Sequence, residues 1–84
     1  MTTLETRIAA IRVINAVITL KANVANGCYS DKAALAIEEK RLEGIKSWAI
    51  ANDQIQEIRH YLASKNFGQN SQFAAAEVAS FFNN

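Results

Sequence analysis

The chain predicts an all-α fold, an antiparallel helical hairpin followed by a short C-terminal helix. Three observations predict it. Proline is absent and alanine is the commonest residue, with fifteen copies, so nothing breaks a helix and much favours one. Gly27 and Gly68 fall between periodic segments, where turns belong. The stretch Ile8–Leu20, IAAIRVINAVITL, is interrupted only by Arg12, Asn15 and Thr19. Set at ~100° per residue, those residues share one narrow strip with Glu5 and Asn23, and apolar side chains cover roughly two-thirds of the wheel.

The first helix is expected over 3–25. Thr2-Thr3-Leu4-Glu5 reads as a capping box, a hydroxyl at the N-cap with a carboxylate three residues later. Asn26-Gly27 supplies a left-handed C-cap, and Ser30-Asp31 caps the next helix. A connection this short makes the two helices an antiparallel hairpin. A β reading of Val13–Val24 has the right residue types but neither alternation nor a strand to pair with.

The second helix is expected over 31–65, with a possible break near 50–53. Leu35, Leu42, Ile45 and Ala49 share one face, whereas Ala51, Ile55, Ile58 and Leu62 form a second stripe rotated by over ~100°. Either a third helix starts at an Asn52 or Asp53 cap, or one helix passes its contact between neighbours. Asp53-Gln54-Ile55-Gln56 resembles a capping box and supports the break. Continuity is favoured slightly, because nothing at Ala49-Ile50-Ala51 forces a stop. Gly44, inside this helix, reads as a tolerated surface glycine costing about 1 kcal/mol relative to alanine. The alternative is a close approach of another backbone or ligand. Asn66–Asn70 is a loop, and a last helix is expected over 71–82.

Eighty-four residues make one domain, 1–84, near the lower end of what folds alone. Nine basic residues stand against eight acidic ones, without a run of either sign, which argues against nucleic acid as a partner. Cys28 is the only cysteine, so neither a disulfide framework nor a cysteine metal site is available. Arg7, the apolar run and Ala25-Asn26-Gly27-Cys28 faintly imitate a lipoprotein signal. Glu5, Arg12 and Asn15 oppose that, and the 13-residue run is too short and polar to span a bilayer. A soluble cytoplasmic protein without a membrane segment is expected.

No catalytic constellation emerges. His60 is the only histidine, and no nucleophile stands near it in a motif. Glu57 precedes it by one turn, but there is no second such pair to make a metal site. Glu38, Glu39, Lys40, Arg41 and Glu43 read as a solvated helix face, with Glu38 and Arg41 able to pair. Neither phosphate-loop motif is present, and no cofactor is implied.

Association is what remains. The first helix is more apolar than one small chain is expected to cover, so Ile11, Ile14, Asn15, Val17 and Ile18 form a candidate association face. Asn15 there would set register or oligomer state, or else face water on the polar strip. Trp48, Tyr61, Phe81 and Phe82 are candidate partner-binding aromatics, simple core packing being the competing reading and the favoured one for Trp48. The leading expectation is a non-enzymatic adaptor, inhibitor or assembly factor, a homo-oligomer that binds an unidentified protein. The alternative is a helical oligomer that holds a small anionic ligand, such as a nucleotide, between subunits. Arg12, Lys21, Lys46 and Arg59 from different copies would then converge on it.

Overall fold

The computed structural model describes residues 3–83. The fold is all-α, with no strand among the described residues. Helix α1 spans Thr3–Ala25, α2 Lys32–Ala51, α3 Ile55–Ser64 and α4 Gln72–Phe81. Single 3-10 turns at Tyr29–Asp31 and Gln69–Ser71 lead into α2 and α4. Thr2, the N-cap of the expected capping box, lies outside the described residues.

Helix α1 ends as its sequence predicts. Gly27 takes φ +101°, its N–H bonds the Val24 carbonyl, and the Cys28 N–H bonds the Asn23 carbonyl at 2.9 Å. This is the paired 5→2 and 6→1 closure of a left-handed cap. The expected side-chain cap at Asp31 is not made. Its carboxylate instead accepts a hydrogen bond from Asn23 Nδ2 at 3.1 Å, tying the end of α1 to the start of α2. A contact across the turn wins over a local cap because both side chains already lie at the hairpin's closed end.

The favoured continuous helix over 31–65 is corrected: it breaks at 52–54. Asp53 adopts φ +55°, the only positive φ among the described non-glycine residues. The Asn52 N–H bonds the Trp48 carbonyl, Asp53 that of Ile50, and Gln54 that of Ala49 at 2.8 Å. The same left-handed closure therefore ends α2, with aspartate standing where glycine is usual. Neither Asn52 nor Asp53 caps α3; Gln54 holds that position without a side-chain capping bond, its Nε2 turning back to the Asn52 carbonyl at 3.4 Å. Asn52 Nδ2 reaches back to the Trp48 carbonyl at 2.9 Å. The break reconciles the rotated stripes, since Leu42 and Ala49 are buried from α2, and Ile58 and Leu62 from α3. Ala51, placed in the second stripe by spacing, is exposed.

An aspartate in the left-handed region carries a backbone cost that glycine does not. Asp53→Gly is expected to keep the fold and raise stability by up to about 1 kcal/mol, read as a higher urea midpoint at unchanged slope.

The helices form an up-down-up-down bundle. Arg7 meets Glu57 at 3.9 Å and Asn15 meets Tyr61, so α3 runs in the sense of α1. Helix α4 returns against α3 and lies over the α1–α2 groove, where Lys21 pairs with Glu77 at 2.9 Å. The core is wholly apolar: Ile14, Val17, Ile18, Leu42, Ala49, Ile58, Leu62, Ala74, Val78 and Phe82 pack into one cluster, and no polar or charged residue is buried among the described residues. Ile11, Trp48, Tyr61 and Phe81 pack against its edge.

The expected association face is therefore corrected in part. Ile14, Val17 and Ile18 are sealed inside this chain, so they offer no surface to a partner. Helices α2 and α4 cover most of this face, and α3 adds Ile58 and Leu62 to the same core. Asn15 sits half-buried and accepts a hydrogen bond from the Tyr61 hydroxyl at 2.8 Å. Whatever register it sets is between α1 and α3.

Candidate functional site

One seam along α1 changes character from end to end. Leu4, Ile8, Ile11, Asn15, Ile18 and Ala22 are spaced four, three, four, three, four, which places them in a single line down the helix. Ile18 and Ala22 are buried, and Ile11 and Asn15 half-buried, but Ile8 is 49% exposed and Leu4 56%. Helix α3 meets α1 at Arg7, Ile11 and Asn15 and leaves the seam's first two apolar side chains uncovered. Ile50, 61% exposed, lies in the last turn of α2. In an antiparallel hairpin that turn stands at the same end of the bundle as Leu4 and Ile8. Tyr29, Ile37 and Phe73 are also exposed, on other elements.

The candidate aromatics are largely occupied by their own fold. Phe82 is fully buried, which excludes it from partner binding. Phe81 packs edge-to-face on it with ring centroids 5.4 Å apart, and the Lys46 ammonium sits 4.7 Å above the Phe81 ring. Adjacent aromatics on a helix point about 100° apart, so one enters the core and the other lies along its rim. Trp48 is half-buried against the core. Tyr61, besides holding Asn15, packs edge-on to Phe67 and accepts a hydrogen bond from Lys65 Nζ at 2.9 Å.

The four candidate anion contacts do not converge within one chain. Lys21 is paired with Glu77 and lines a groove shared with Glu39 and Glu43, an acidic setting for an anion. Lys46 stands over Phe81. Arg12 is exposed on α1, and Arg59 lines a separate cleft between α3 and α4. Arg41 and Glu38 pair at 2.7 Å, as their spacing predicts. Gly44 has open space where a Cβ would stand, so it marks no close approach. Among the described residues no group of three potential metal-ligating side chains occurs.

Taken whole, α1 from Leu4 to Ala25 is long and apolar enough to cross a bilayer by length and composition. That is a wider span than the Ile8–Leu20 run considered from sequence. In this fold Ile14, Val17 and Ile18 of that helix form the bundle core. Comparison with known protein families, characterised proteins and solved structures finds no match.

Proposed function

We propose that this chain is a non-enzymatic association module that pairs with a second copy of itself through the open end of the α1 seam. The exposure of Leu4 and Ile8, in line with residues the same helix buries further along, supports this reading. A large apolar side chain left open beside a closed core is what a partner helix covers. The flanking charges favour a second copy. Antiparallel pairing about Ile8 brings each exposed Arg12 beside the first turn of the other copy, where Glu5 lies. A symmetric arrangement makes that contact twice. Two turns of helix bury less than the roughly 1,200 Å² of a stable interface, so the pairing belongs to the weak, concentration-dependent class. Cytoplasmic placement and engagement of a further protein belong to the same proposal.

Sedimentation equilibrium from micromolar to millimolar protein tests it. The expected result is a monomer–dimer equilibrium that Ile8→Asp weakens roughly thirtyfold at unchanged helicity, since the substitution enters a symmetric interface twice. Arg12→Glu should weaken it too, and the double swap Glu5→Arg with Arg12→Glu should restore it. A chain that stays monomeric at millimolar concentration would sink the proposal.

A further inference from the structure

The cleft between α3 and α4 differs in its charge from the other cation-bearing clefts described above. Gln56, Arg59, His60 and Asn83 line it over an apolar floor that includes Leu62 and Ala79. Its volume, about 420 Å³, falls within the ~300–1,000 Å³ typical of small-molecule sites. No carboxylate of the described residues lines it. In the α1–α3 cleft Arg7 faces Glu57, and in the α4 groove Lys21 faces Glu77, so those cations are already answered. Arg59 makes no ion pair among the described residues.

The polar side chains around this cleft can all donate. The Arg59 guanidinium presents five N–H groups in a planar fork that matches a carboxylate or phosphate edge, and the two side-chain amides and the imidazole ring add further donors. An anion's oxygens suit such a wall, and the floor suits a compact hydrocarbon body. We infer that this cleft binds a small organic oxyanion, with Arg59 as its charge partner, His60, Gln56 and Asn83 as supporting donors, and Leu62 and Ala79 against its apolar part. The site lies within one chain, so it stands apart from the proposed self-association.

Amide chemical-shift titration of the ¹⁵N-labelled chain with sodium hexanoate tests this. Hexan-1-ol serves as the uncharged probe and sodium chloride as the ionic-strength control. Hexanoate is expected to shift amides of 56–63 and 78–83 in a saturable way, with hexanol and chloride leaving them nearly unmoved. Arg59→Gln should weaken hexanoate roughly tenfold, the effect of removing a charge-assisted contact. Gln56→Glu, which places a carboxylate in the cleft, should weaken it as well. Lys40→Gln removes an exposed cation elsewhere, on α2, and should leave the affinity unchanged. The spectrum of each variant shows directly whether it is folded. No saturable shift, equal binding of hexanol, or equal losses from Lys40→Gln and Arg59→Gln would each overturn the inference.

Discussion

Ile14→Asp is expected to unfold the chain rather than release a folded monomer. Ile14 is fully buried, and the surrounding cluster contains no polar group that could bond a carboxylate. The substitution removes a well-packed side chain, worth about 2–5 kcal/mol in a core. It also places an unpaired charge in an apolar interior, at a further cost of several kcal/mol. A domain of this length is stable by only about 4–12 kcal/mol. Far-ultraviolet circular dichroism should therefore show lost helix in Ile14→Asp and retained helix in Ile8→Asp. A folded, helical Ile14→Asp would mean that α1 meets its neighbours elsewhere than described.

Phe82→Ala carries the second largest expected effect. Phe82 is among the largest fully buried side chains in the core and sits just past the end of α4, its N–H bonded to the carbonyls of Val78 and Ala79. Truncating a buried phenylalanine costs about 3–5 kcal/mol, and here the edge-on partner Phe81 loses its neighbour as well. Urea unfolding should show a much lower midpoint. Hydrogen exchange should show α4 opening before the α1–α2 hairpin, because α4 contributes Ala74, Val78 and Phe82 through one short helix. Phe81→Ala, at a half-buried position on the rim, should cost clearly less.

The elements whose ends use glycine were legible from sequence, and the one that uses aspartate was not. Gly27 and Gly68 both take positive φ and mark their turns plainly. Asp53 makes the same left-handed closure with a residue whose commoner reading is an N-cap, so the break looked like a capping box in an otherwise unbroken helix. The rotation between the stripes ending at Ala49 and starting at Ile55 was the physical trace of it. With α4 folded back over the α1–α2 hairpin and α3 adding Ile58 and Leu62, the apparent surplus of apolar surface on α1 largely vanished. Burial along the seam could not be read from spacing, which treats Ile8 and Ile18 alike. Only the placement of α3 and α4 separates them. His60 lacked a motif because Asn83, which lines the same cleft, lies past the end of α4, beyond the reach of local patterns.

The even number of helices has a practical consequence for watching this molecule at work. Leu4, Ile8 and the 52–54 junction share one end of the bundle. The Gly27 and Gly68 loops lie at the other, along a body 37 Å in its longest dimension. The exposed thiol of Cys28 is in the first of those loops. A maleimide dye attached there needs no engineered cysteine and sits far from the surface proposed for self-association. Its fluorescence anisotropy would then follow the slower tumbling of a pair without touching the contact that forms it.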